Sequence, residues 1–501
     1  MKRQLLIIAT EPIEIKLACN VLNQSKLNDF DVIFLVADHF TFLYEYNFLR
    51  EMTHKFRYQF LTWEDIYIRW QKRHKIDRES NMQYLKYWES KYCSNRNLSQ
   101  LMKTHQGLYA WENSFIYKKT SDNQKSEIFS DLCKYAENLF EEYQIAKVIS
   151  FSTRSFLSNA VYEIAKFREI EMITLIPNRI GARYQFREDF GIGMSDKYKA
   201  QILATEIKAD SLNFVDQLLV KTHLFLGPSN KAIEELRRRK KHPLNFLKKD
   251  MILLCKNIYF RIFKAQKIRK YKSNVLSENL FKLSIWQLRG VVATFLYSLG
   301  VHKFSDEKKI NSPFFIWFLH ARPEESTSVL SLGQDEIERL VEVSGILPSG
   351  YILVVKENPI MLGRRSVGFY KKLKKLSNVI LLSPVADNNI LFSRCTGILG
   401  MSGTSLLEVS LIGKPAYAFG LPEFLSVLSN EKYRNVNEFI YGSIANKGSG
   451  EERSTALKYV QWAIDRSTSE RVFNNINFEY ETDNNFYDEL SRLIEFNFNL
   501  N

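Results

Sequence analysis

The chain has 501 residues, 45% of them apolar, and carries 70 Lys and Arg against 56 Asp and Glu for a formal net charge of +14. That length exceeds what one core usually serves, so two domains with connecting elements are expected, and the apolar fraction with 36 Phe and 25 Tyr excludes a disordered chain. Five cysteines without a CxxC pair signal neither a disulfide framework, a zinc site nor a cysteine nucleophile, and fit a reducing compartment.

Taken in order, residues 3–10 read as a strand, 12–24 as a helix with Ile13, Leu17 and Val21 on one face, and 31–37 as a second strand. Such a start suits a Rossmann-like domain, although no GxGxxG follows the first strand. The N-terminal apolar run of about six residues is too short for a signal peptide. No window approaches the roughly 20 apolar residues of a spanning helix. A cytoplasmic protein is expected, with any membrane contact peripheral at the inner face.

Residues 39–126 are rich in Trp, Tyr, Lys and Arg, with helix-like stretches at 63–75 and 82–92. Their aromatic rings pack these helices or stack on a ligand; packing is favoured. His54, His74 and His105 sit among charged or polar neighbours and read as surface residues. A clearer unit follows: strand 146–151, loop 152–154, a helix to 168, strand 171–176 and loop 177–183. Arg154, Arg179 and Arg183 thus fall at or just after strand ends. They engage an anionic ligand across a cleft, or they pair with Glu188 and Asp189.

Residues 231–272 hold fifteen Lys or Arg against three acidic residues, a difference of +12, so most of the net charge is local. Basic residues alternate there with Leu, Ile, Phe and Tyr at helix-like spacing. This suits an anionic membrane surface ahead of nucleic acid, for which no recognisable module is present; a solvated helix pair is the plain alternative. A further helix over 284–301 closes the insert. Beyond residue 424 the chain turns polar, then offers amphipathic helices at 455–465 and 486–496.

The most informative stretch is 313–424, where short apolar runs alternate with 3.6-period segments. That pattern predicts βαβ units and a parallel sheet whose ligand lies beyond the strands' C-terminal ends. Residues 396–400 read as a buried strand, 401–403 as a tight turn and 404–412 as a helix. A helix start reached through glycine, with Thr404 and Ser405 in its first turn, suits a phosphate. Glu408, four residues after Thr404, projects on the same face toward a hydroxyl-bearing ligand. The competing reading is that Ser402 and Thr404 only cap the helix, which Gly413 ends before Pro415. Two other strand ends finish in polar residues: His320, Arg322, Glu324 and Glu325 after the first, and Lys356, Glu357 and Asn358 after the next.

The segments FLHARPEEST, KENP and SGTSLLEVSLIGKP, in this order and spacing, resemble the C-terminal half of the bacterial capsule polysaccharide biosynthesis proteins. These are GT-B-type glycosyltransferases related to the Kdo transferases. The Arg-containing turn near 179–183 extends the resemblance more weakly. It implies an α/β, GT-B-like chain of two Rossmann-like domains with a central cleft, here with a helical basic insert. Boundaries are expected at 1–225 (acceptor side), 226–310 (basic connector), 311–450 (donor domain) and 451–501 (C-terminal helices returning to the first domain).

The activity implied is transfer of a sugar from a nucleotide-sugar donor, CMP- or UDP-linked, to a growing capsule- or O-antigen-type polysaccharide or a lipid-linked acceptor. Ser402, Gly403, Thr404 and Ser405 would hold the donor phosphate and Glu408 its ribose or sugar. Lys356, Glu357 and Asn358 complete the donor side, Lys356 meeting charge that develops on the leaving phosphate. His320 and Glu324 are the acid/base or sugar-orienting candidates, and Arg154, Arg179 and Arg183 line the cleft or acceptor side. No metal is expected, and no cofactor beyond the co-substrate. Asn358 departs from the family pattern, which has His there; an amide donates to phosphate but carries no proton. The alternatives are a polyol-phosphate transferase of the wall-teichoic type, a nucleotide-sugar epimerase and a non-catalytic member of the family.

Overall fold

The computed structural model describes residues 3–36 (except 10, 11, 26, 28, 29), 59–62, 78–103 (except 94, 95), 121–209 (except 152–154, 179, 181, 182, 191, 192, 194), 212–216 (except 214), 228–259, 280–321 (except 302, 303), 330–468 (except 332, 333, 363, 366, 447–449) and 484–498. The helix expected at 63–75 lies outside them.

Six strands form the first sheet: β1 (Gln4–Ala9), β2 (Asp31–Val36), β3 (Gln59–Thr62), β4 (Ile145–Ser150), β5 (Glu171–Asn178) and β6 (Arg183–Arg187), in the order β3-β2-β1-β4-β5-β6. All neighbours are parallel except β5 and β6. Leu5 to Ala9 are all buried, because a central parallel strand is covered on both faces and therefore reads as an unbroken apolar run. One face is covered by helices Asp122–Glu142 and Phe156–Phe167, which bring Phe129 and Phe156 into the core. The other is covered by Pro12–Gln24 and by the last helix, Asn484–Asn497, whose Phe486, Leu490 and Ile494 return to this domain.

The second sheet holds β7 (Phe314–Phe318), β8 (Ile352–Lys356), β9 (Val379–Leu382), β10 (Gly397–Gly400) and β11 (Ala416–Ala418), ordered β11-β10-β7-β8-β9 and parallel throughout. Helices Glu336–Ile346 and Val436–Ala445 pack on one face, and Ser405–Leu411 and Glu451–Asp465 on the other. Phe314 to Trp317, worth roughly 2 kcal/mol each in burial, fix β7 at the centre. Both sheets are doubly wound about their first strand, so the chain is α/β with two Rossmann-like sheets in GT-B-like fashion.

The basic insert is helical: Pro228–Lys241, Pro243–Tyr259 and Leu280–Ser298, the last starting four residues before the helix expected at 284. It is fastened to the second domain. Leu236, Tyr297 and Leu362 share one apolar cluster, the Tyr297 and Ser383 hydroxyls lie 2.7 Å apart, and Arg364 sits 4.8 Å over the Trp286 ring.

Of residues 177–183, expected as a loop, Pro177 and Asn178 instead extend β5 and Arg183 opens the antiparallel strand β6. Within β6, Tyr184 and Phe186 pack into the core beneath the first and last helices while Gln185 and Arg187 take the other face. This period of two is short and interrupted by charge, so the pattern predicts no strand there.

Candidate functional site

In the second sheet β7 and β10 are neighbours, with Trp317 opposite Leu399, yet the helices that follow them lie on opposite faces. The crevice beyond their C-terminal ends is therefore the switch point, where an open α/β sheet takes its ligand.

His320 stands two residues past β7. Its backbone N–H donates to Glu336 Oε1 at 3.2 Å and its carbonyl accepts from Arg365 Nη2, so the main chain is held on both sides. Its ring lies against the turn after β10: a Cβ on Gly403 would stand 3.0 Å from His320 Cε1 and 3.4 Å from Nε2. Gly403 and His320 are thus packed face to face across the switch point.

The helix after this turn is Ser405–Leu411, one residue shorter at each end than expected. Thr404 occupies the N-cap position in a helical conformation, φ −60° and ψ −25°, and its side chain makes no capping hydrogen bond. The competing capping role is therefore not what Thr404 does. Thr404 and Ser405 are partly exposed, whereas Ser402 and Glu408 are buried.

Lys356 ends β8 directly opposite Phe318 of β7. It is 3% exposed, and its ammonium donates to Ala386 O at 2.8 Å and to Asn388 Oδ1 while lying 5.5 Å over the Phe318 ring. Two of three N–H donors are used; the third has no partner among the described residues. Burial pulls its pKa down to about 8, opposed by the charges of Asp387, Glu307 and Glu408 and assisted by Arg237. With strands about 4.8 Å apart, the ends of β10, β7 and β8 lie within the span of one nucleotide.

Glu357 and Asn358, expected on the donor side, are engaged inside the protein. The Glu357 carboxylate is 1% exposed and accepts from Arg365 Nε at 3.0 and 3.1 Å, from the Tyr370 hydroxyl and from the Asn358 N–H at 2.6 Å. Asn358 Oδ1 accepts from Ile360 N at 3.0 Å and caps the short turn Pro359–Met361. Sequence reasoning missed Arg365 and Glu336. Glu336 is fully buried, accepts from Trp317 Nε1 at 3.2 Å and lies 3.6 Å from Arg365 Nη1. This cluster ties the end of β7 to the end of β8. No periodicity marks such residues, because a charge pattern reads as solvated until the partner is placed.

Arg154, Arg179 and Glu324, with Arg322 and Glu325, lie outside the described residues. Arg183 opens β6 and donates from Nη1 to Thr468 O at 2.9 Å, tying the sheet edge to the returning C-terminal segment. The acids considered for it have other partners: Arg187 Nε reaches Asp189 Oδ1 at 2.8 Å, and Lys197 reaches Glu188 Oε1 at 2.8 Å. Among the described residues no group of His, Cys, Asp and Glu could hold a metal ion. A cavity of about 580 Å³ lined by Gln185, Tyr198, Trp462 and Arg466 shares no residue with the crevice.

No family model matches the chain, and no curated protein matches it in sequence. Among solved structures it is similar to a UDP-GlcNAc 2-epimerase from Neisseria meningitidis bound to UDP-GlcNAc, at 13% identity over 91% of this chain and 98% of that one, with a TM-score of 0.21. It is similar also to the beta Kdo 2,4 transferase KpsC of Thermosulfurimonas dismutans, at 11% identity over 65% and 94%, TM-score 0.27. HepE of Anabaena in complex with UDP-glucose gives 10% identity over 99% and 100%, TM-score 0.24. These are remote likenesses, and the fold stands on the chain's own sheet order.

Proposed function

We propose that the chain is a GT-B-type glycosyltransferase that holds a nucleotide-sugar donor in its second domain and passes the sugar to a polysaccharide or lipid-linked acceptor. The observation that supports this reading is the packing of His320 against the Gly403 turn at the ends of the adjacent strands β7 and β10, with Lys356 ending the next strand, β8. The motifs that resemble the capsule polysaccharide family supply the same residues.

Breaking the bond from the anomeric carbon to the donor phosphate leaves growing negative charge on that phosphate. Thr404, Ser405 and the remaining N–H of Lys356 are the groups that would meet it. In a site shielded from water, one such donor is worth roughly 3 kcal/mol, a few hundredfold in rate. His320 faces Gly403, where it would take the acceptor's proton or orient the donor sugar. No metal enters the proposal.

A thermal-shift panel of CMP, CDP, UDP and GDP tests the donor site. One nucleotide is expected to raise the melting temperature, by RT ln(1 + [L]/Kd) in stability terms, and Thr404→Ala to remove the rise. Four null results on a folded protein would overturn it. Turnover then separates the reactions: sugar appearing on a membrane-extract acceptor supports the proposal. Epimerised free nucleotide sugar without acceptor, polyol phosphate from a CDP donor, or binding without turnover each contradict it.

A further inference from the structure

We infer that the insert helix Pro243–Tyr259 is an interfacial helix that seats in the surface of an anionic bilayer and presents the crevice to lipid-borne acceptor; the second half of this statement rests on the transferase reading, the first does not. On this helix Leu254 is buried against the protein, yet Leu244 (70% exposed), Met251 (38%), Ile252 (48%) and Cys255 are open to solvent, while Leu253, also exposed, falls on the opposite side. The spacing of Met251, Ile252 and Cys255, seven, eight and eleven residues from Leu244, puts these four on one face, beside the buried one. Nine of the seventeen large apolar residues exposed among the described residues lie between 244 and 301, so exposed apolar surface is concentrated in the insert.

Lys248 falls within the stripe and Lys249 and Lys256 flank it, all exposed. Together with Lys241 they form no salt bridge among the described residues, whereas Arg238 and Arg239 are paired with Glu234, Glu235 and Asp250. Unpaired lysines alone would suit any polyanion. A wet leucine and isoleucine stripe among them gains only where it leaves water, which selects an anionic lipid surface over nucleic acid. No helix among the described residues is long and apolar enough to cross a membrane, so the helix would lie in the interface.

The place of the insert gives this surface a purpose. Arg289 donates to Arg365 O at 3.2 Å and Tyr297 reaches Ser383, so the insert sits on the β8 and β9 rim of the crevice. A bilayer held by the stripe would bring a lipid-linked substrate to that rim.

Cys255 is the exposed one of the five cysteines and serves as the probe. The full chain, labelled there with an environment-sensitive fluorophore, is mixed with vesicles of phosphatidylcholine alone or with phosphatidylglycerol. A blue shift and quenching by spin-labelled lipid are expected only with phosphatidylglycerol, weakening with salt. Ile252→Asp, on an exposed position, should lower vesicle partitioning about tenfold or more with an unchanged melting temperature. No vesicle binding, binding without any change in the label, or stronger binding to duplex DNA or RNA than to vesicles would each overturn the inference. Nucleotide binding is measured without vesicles, so its failure would remove the donor site and leave the bilayer result standing.

Discussion

Gly403 is held to glycine by its neighbour. A methyl group there would press on His320 at 3.0 Å, tighter than ordinary van der Waals contact, and the ring can give only by shifting. Gly403→Ala is expected to leave the melting temperature within a few degrees and to weaken nucleotide binding about tenfold, read by titration calorimetry. Unchanged affinity would mean that the ring's position is irrelevant to the ligand.

Lys356 makes a pH-dependent forecast. Its pKa is lowered from 10.5 to about 8, chiefly by burial. Between those values the unfolded chain keeps a proton that the folded chain has released, so this residue's contribution to stability rises with pH across the window. Relative to Lys356→Met, the wild type should gain roughly 3 kcal/mol from pH 8 to 10.5 in denaturant titrations. Anion binding should run the other way, falling as pH climbs through 8 in the wild type and staying flat in the variant.

Among the elements, the parallel strands were legible because β1, β7 and β8 must be apolar on both faces to sit at the centre of a covered sheet. Ser402 to Ser405, His320 and Lys356 were legible for a related reason: polar residues that end such runs fall on one edge of the sheet. β6 was not, since its sequence RYQFR offers only two core residues between charges. Nor were Glu336 and Arg365, whose burial depends on each other and on Glu357. That cluster fastens two strand ends, so Arg365→Leu, which strands two buried carboxylates, should cost about 3–5 kcal/mol in urea unfolding. A loss under 1 kcal/mol would show that the charges are better solvated than their burial implies.

At the scale of the whole molecule, the two sheets are joined by contacts that adjoin the site. Arg187, 1% exposed, donates from Nη1 to Glu423 O at 3.0 Å, and Gly193 N–H donates to Leu421 O at 2.9 Å. Leu421 in turn donates to Leu330 O, and Gly420 to Met401 O at 2.8 Å, one turn from Gly403. The edge of the first sheet, the segment after β11 and the turn after β10 are therefore linked by one hydrogen-bond network. Two parallel sheets could be read from length and from the alternation of apolar runs with helical segments. The rim on which the insert is mounted could not, because aromatic and arginine contacts such as Arg364 on Trp286 carry no spacing rule.

Titration calorimetry of the stabilising nucleotide into the wild type, His320→Ala, Lys356→Met and Thr404→Ala asks most directly whether three strand ends serve one ligand. Each folded variant is expected to bind at least tenfold more weakly, about 1.4 kcal/mol apiece. Wild-type affinity in all three would contradict the shared crevice.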